Sequence, residues 1–356
     1  MFKSRTVFVV GAGASTEFGL PMGTQLTSKI ASGLNILFRD GYTQTNGSKE
    51  ILQALQNRID GGGSDLNKLL LAGRKISANM ESAISIDNYL NNRSDDEDIV
   101  FMGKLGIAYE ILASEGSSSI AIADGGEIDL RKSSKSWINV FCKMLHENVP
   151  RNKVDTIFDN VSIICFNYDR CIEHYLLHAL QRYFDLQEDH SRAIVNRLRI
   201  IHPYGRIGKL PWMAGPAFNV SYGASTNPQR TNLLNLAAGI RTFTERFEDD
   251  HETVKEVRQQ IAEAEVLVFL GFSYGSMNMD LMSVPNSASR VVYGTAFGIS
   301  VPNIQSIKGE IARMLGRNPR QINIELSINS KCYEFLNEYW FPIMRYRDAR
   351  ALRGSR

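Results

Sequence analysis

The chain has 356 residues, 43% of them hydrophobic and 22% charged, with a formal net charge of +2. That length buries a full core as one large domain or two smaller ones, and the composition is that of an ordinary globular protein. Near-neutral charge gives no ground for a nucleic-acid or acidic-lipid surface. No apolar run is long enough to cross a membrane and no signal-peptide core opens the chain, so a cytoplasmic location is expected.

The first predicted element is a buried strand, Val7-Phe8-Val9-Val10, which runs into Gly11-Ala12-Gly13-Ala14-Ser15 and then Gly19-Leu20-Pro21. A helix is expected to begin near Ser15 or Thr16 or, after Pro21, near Thr24. Strand, glycine turn and helix in that order gather backbone N–H groups around a concavity that suits a phosphate or pyrophosphate, and glycine lets the ligand come close. The usual dinucleotide fingerprint is only partly met. Thr16 stands where a third glycine belongs, and no acidic residue closes a second strand some way on, which disfavours a dehydrogenase. A glycine turn with no ligand is the plain structural alternative.

Residues 31–150 read as a mainly helical insertion, with Ile51, Leu52 and Leu55, and later Leu69, Leu70 and Leu71, at helical spacing. Solvated breaks are predicted at 60–65 and 94–98, and polar, small-residue segments at 115–119 and 124–127. Alternation resumes after Pro150. Strands are predicted at 161–166, 199–202, 266–270, 290–293 and 322–326, and helices at 170–183 and 252–263. Buried apolar strands alternating with amphipathic helices predict an α/β fold: a Rossmann-like parallel sheet with helices on both faces and a mainly helical insertion. The catalytic domain would comprise 1–30 and 151–330. The tail at 331–356, aromatic and then basic, reads either as an oligomer or partner contact or as packing on its own domain.

Cys142, Cys165, Cys171 and Cys332 form no CxxC pair, and Cys165 in its apolar run reads as a buried thiol. His174 and His178 are spaced to share a helix face but have no third ligand nearby, so no metal is expected.

In a parallel sheet, ligands gather at the carboxyl ends of the strands. There stand Gly11 to Ser15, then Asn167-Tyr168-Asp169, then His202-Pro203-Tyr204-Gly205, and finally Gly271-Phe272-Ser273-Tyr274-Gly275. Each has a bland reading, a helix cap for Asn-Tyr-Asp and a turn for His202 before proline. Together they make a more specific signal. This series, with Glu173 four residues beyond Asp169, resembles the sirtuin-like superfamily over about residues 5–25 and 155–300. The likeness is closer to the bacterial sirtuin-like NAD hydrolases of anti-phage defence than to the protein deacylases. Ile86-Asp87-Asn88-Tyr89-Leu90 also resembles a short motif of those relatives.

The resemblance implies that Gly11, Ala12, Gly13 and Ser15 line the phosphates of NAD, and that Gly271 and Ser273 lie on its adenosine side. It implies that Asn167 and Asp169 stand beside the nicotinamide ribose and that His202 is the catalytic histidine. The two CxxC pairs of the deacylase zinc module are missing, and Phe166 replaces a glutamine, so peptide deacylation is disfavoured while NAD chemistry stands.

NAD would be the substrate, hydrolysed to nicotinamide and ADP-ribose. Because nicotinamide leaves as a neutral ring, the enzyme must position the ribose, steady the charge at C1′ and admit water. His202 is expected to serve as general base or hydrogen-bond relay, Asn167 to orient ribose or water, and Asp169 to supply a negative field or hold the loop. The alternatives are a non-catalytic sensor of NAD or ADP-ribose and an acceptor-dependent deacylase or ADP-ribosyltransferase. Relatives of this kind assemble as homo-oligomers and work beside a sensor subunit such as a HerA-type ATPase or a short Argonaute. The chain's lack of a P-loop and of a basic stripe assigns nucleic-acid sensing, if any, to such a partner.

Overall fold

The structure is a computed structural model that describes all residues except 61–64, 123–125, 216–217, 244, 246–250 and 347–356. Most of the predicted 60–65 break, the start of the 124–127 segment and the basic end of the tail therefore lie outside the described residues.

A six-stranded parallel sheet organises the chain in the order β5-β4-β1-β6-β7-β8. Its strands are β1 (Thr6–Val10), β4 (Val161–Cys165), β5 (Arg199–Ile201), β6 (Val266–Leu270), β7 (Val291–Thr295) and β8 (Asn323–Ser327). β1 is central, registering Thr6 with Val161 of β4 on one side and with Val266 of β6 on the other. Every residue of β1, β4 and β6 is buried, as expected of strands covered on both faces. Val7 and Val9 belong to one core, Phe8 and Val10 to the other.

The first core is completed by α2 (Gly23–Leu34), α3 (Lys49–Asp60), α4 (Leu66–Asn79), α5 (Ile86–Asn91) and α6 (Glu97–Gly116). α2 starts one residue before the predicted Thr24 and carries Leu26, Ile30 and Leu34 on its buried stripe. Preceding it, the glycine loop folds into a single helical turn, α1 (Ala12–Ser15). The acidic run at 94–98 starts a helix: Asp96 caps α6 by accepting from the N–H of Ile99 at 3.1 Å, while Glu97 and Asp98 sit in the first turn, where the helix dipole favours them. A small antiparallel hairpin, β2 (Leu37–Arg39) with β3 (Thr43–Asn46), interrupts the helices and was not foreseen. Asp40 and Gly41 make its turn at φ of 60° and 74°.

The opposite face is covered by α7 (Trp137–His146), α8 (Cys171–Phe184), α9 (Glu188–Val195) and the final α14 (Cys332–Arg345). α14 packs on its own chain through Phe335, Leu336, Ile343 and Met344, all buried. Between the faces in sequence lie α10 (Leu233–Ala237), α11 (His251–Glu263), α12 (Ser276–Leu281) and α13 (Val301–Met314), which join the first core. Glu17 ties the glycine loop to two helices at once. Its Oε2 accepts from the N–H of Trp137 at 2.6 Å and its Oε1 from the N–H of Tyr333 at 2.8 Å, so one carboxylate serves two helix N-termini. Among the described residues, no helix is long and apolar enough to cross a membrane.

His174 and His178 sit on α8 with their rings 4.9 Å apart between centroids. His174 Nε2 lies 3.1 Å from the carbonyl of Ile120, and the ring stacks on Tyr222 at 4.0 Å between centroids. Burial lowers the pKa of His174 to about 3 and that of His146 to about 4. A buried neutral histidine contributes stability that is fully present above the unfolded value of 6.5 and is lost as pH falls toward the folded value. His174 alone is therefore expected to cost about 2 kcal/mol of stability between pH 7.5 and 5. Urea unfolding across that range checks this, and a flat profile would refute it.

Candidate functional site

The strand order matches that of doubly wound dinucleotide-binding sheets, whose crevice opens where successive crossovers diverge, here between β1 and β6. In this chain the crevice is filled by backbone. Gly13 donates its N–H to the carbonyl of Gly271 at 2.9 Å, and Gly11 donates to Leu270 at 2.9 Å. A Cβ on Gly11 would stand 2.6 Å from the Gly271 oxygen, and one on Gly271 would stand 2.1 Å from the nitrogen of Ala14. Gly271 also has a φ of +57°, which a side chain rarely tolerates. Gly11, Gly13 and Gly271 are thus required by chain-to-chain approach, a different reason from the ligand approach expected of them. Gly271→Ala is expected to lower stability by about 2 kcal/mol or more, read as a reduced urea midpoint. An unchanged midpoint would show that the loops need not touch.

A cleft of about 80 Å³ opens one strand over, between the loops that follow β1 and β4. Ala12, Ser15, Asn167 and Asp169 line it, with the first residue of α2, Gly23, at its edge. Leu20, Pro21, Leu26 and Phe166 form apolar walls, and the insertion closes it with Ser85, Ile86, Asp87 and Ile111.

The polar groups of the cleft are bonded to one another. Ser15 donates its hydroxyl to Asp169 Oδ2 at 2.7 Å. Asn167 Nδ2 donates to Ser15 Oγ at 2.8 Å and to the carbonyl of Gly11 at 3.0 Å. Both amide hydrogens are thereby used, and Asn167 Oδ1 is what the amide can offer a ligand. Asp169 Oδ1 accepts from the N–H of Cys171, the first residue of α8, at 3.1 Å. Asp169 thereby links Ser15 of the β1 loop to the start of α8. Tyr168, next to it, donates its hydroxyl to Asp87 on α5, and burial raises the pKa of Asp87 despite that bond.

His202 follows β5 and is buried, but it is not among the residues lining the cleft. Nδ1 lies 3.0 Å from the backbone carbonyl of Asn167, and Nε2 lies 3.1 Å from Glu173 Oε1. Arg206 Nη1 donates to the same oxygen at 2.9 Å. Burial opposes the charge on Glu173, but His202 and Arg206 more than offset it and carry its pKa down to about 2. The ring stands behind the Asn167 loop with both nitrogens engaged, an arrangement suited to a hydrogen-bond relay. A general-base role would require it to release one partner.

Ser273 is exposed on the loop after β6 and does not join the cleft, and Gly13 and Gly271 face each other. The structure therefore gathers Ala12, Ser15, Asn167 and Asp169, sets Gly11 and His202 behind them, and leaves Gly271 and Ser273 apart.

Two residues escaped sequence reading. Glu115, in a segment expected to be polar and rich in small residues, is fully buried at the end of α6 and pairs with fully buried Arg170, directly after Asp169. Arg170 Nε and its backbone N–H reach Glu115 Oε1 at 3.2 and 3.0 Å, and Nη1 donates to the carbonyl of Val220 at 2.6 Å. The signal was spacing: Glu115 continues the stripe of Ala108, Ile111 and Leu112.

Among the described residues, no three His, Cys, Asp or Glu side chains gather as a metal site. All four cysteines are free and buried. No protein-family model matches the chain, and no curated protein matches it significantly.

Proposed function

We propose that the chain hydrolyses NAD at the nicotinamide N-glycosidic bond, with the cleft between the β1 and β4 loops as its active site. The observation that carries this reading is the convergence of Ser15, Asn167 and Asp169 from adjacent parallel strands into one cleft beside the start of α2. Backbone N–H groups at a helix start favour a pyrophosphate, and an acceptor such as Asn167 Oδ1 suits a ribose hydroxyl or a water. As the C1′–N bond breaks, its electron pair goes to the ring, and nicotinamide leaves neutral. Positive charge on the ribose meets the carboxylates of Asp169 and Asp87, and water adds at C1′ and loses a proton to one of them. The setting we propose is NAD depletion in anti-phage defence, with a partner subunit as the trigger.

Nicotinamide release from NAD by the purified chain tests this, alone and with the product of the neighbouring gene. Equal turnover by wild type and Asn167→Ala would overturn the assignment. A second reading, a sensor of NAD or ADP-ribose, draws support from the engagement of both His202 nitrogens. It predicts saturable binding with no product.

A further inference from the structure

We propose that Glu173 is a positioning residue that holds His202 as a two-proton donor, so that the ring braces the backbone of Asn167 from behind the cleft. The two ring nitrogens face acceptors, Nδ1 the Asn167 carbonyl and Nε2 the Glu173 carboxylate. Neutral imidazole has one N–H and one bare nitrogen, so it would satisfy one of these and turn a lone pair toward the other. The doubly protonated ring satisfies both. Glu173, 1% exposed, is ionised in this setting and is shared with Arg206, whose side chain is 20% exposed. Oε1 of the carboxylate takes both the His202 and the Arg206 contacts, and among the described residues Oε2 has no hydrogen-bond partner. Among the described residues, the titratable and charged groups gathered there include Glu173 from α8, Arg206 from the segment after His202, and Cys165 and Asp169 from β4 and its loop.

Asn167 is thus held at two points. Its side chain is fixed by Gly11 and Ser15, and its carbonyl by His202. Because Asn167 lines the cleft, the Glu173–His202 contact fixes cleft geometry without touching a ligand. The rate consequence rests on the proposed NAD hydrolysis, while the protonation consequence does not.

The test is the ¹⁵N spectrum of the histidine imidazoles in the full-length chain at pH 7, with His202 assigned by its loss in His202→Gln. Wild type should show both His202 nitrogens protonated, and Glu173→Gln should show one bare nitrogen. Arg206→Gln removes a cation that competes for the same carboxylate and should leave both nitrogens protonated, an opposite outcome that general loss of packing would not produce. A bare nitrogen in wild type, or the same His202 signals in wild type and Glu173→Gln, would overturn the proposal. In the kinetic arm, Glu173→Gln should lower kcat about tenfold to a hundredfold with a smaller change in KM, because a displaced group costs rate before affinity. Expected spectra with no nicotinamide release from wild type, either alone or with the product of the neighbouring gene, would refute the NAD reading and leave the brace standing.

Discussion

Asn167→Ala is expected to reduce nicotinamide release by at least about 10²-fold, with KM for NAD changing much less. Asn167 is the joint of the cleft: its amide spans from the β4 loop to Gly11 and Ser15 of the β1 loop. Truncation removes the acceptor Oδ1 from the cleft and frees Ser15 from one of its two side-chain partners. Asn167→Asp is a sharper probe, because it keeps the size but replaces the donor nitrogen by an oxygen facing the Gly11 carbonyl. Both variants should fall together. Full activity in Asn167→Asp would mean that the bond to Gly11 has no part in setting the site.

Glu115→Ala is expected to be the most destabilising single change outside the cleft, at about 3–5 kcal/mol. It would leave Arg170 fully buried without its anion, and it would strip the N–H of Gly223 of its acceptor. Replacing both charges, as in Glu115→Met with Arg170→Met, should cost less than the single change, because no lone charge remains. Some loss should persist, since the carbonyls of Val220 and Ser221 would lose the guanidinium. Urea unfolding of the two variants decides this, and a double variant weaker than Glu115→Ala would refute the assigned cause. Arg170 follows Asp169 directly, so the same variants should also impair the cleft.

The core strands were legible because buried parallel strands are short, unbroken apolar runs, as at Val7 to Val10 and Val266 to Leu270. Their carboxyl-end loops followed from the sheet type, and three of the four deliver residues to the cleft or its backing. The β2–β3 hairpin was hidden by the polar sequence of Thr43–Asn46, although Asp40-Gly41 is a recognised hairpin-turn signal, here within a three-residue connection. Contacts fixed only by tertiary packing were out of reach. Nothing in the sequence says that Glu173 and Arg206 share His202, that Glu115 meets Arg170, or that Gly13 is glycine on account of Gly271. Periodicity reports which face is buried, not what it is buried against.

The central place of β1 also sets the order in which the molecule can be finished during synthesis. β1 is translated first, yet its neighbours begin only at Val161 and Val266, and the carboxylate of Glu17 waits for Tyr333. Contacts this distant along the chain make folding slow and late. The half-made protein carries its glycine loop without the β4 loop that completes the cleft. A chain still on the ribosome before Asn167 emerges therefore has no assembled cleft, and its exposed Val7-Phe8-Val9-Val10 is a segment for chaperones to cover.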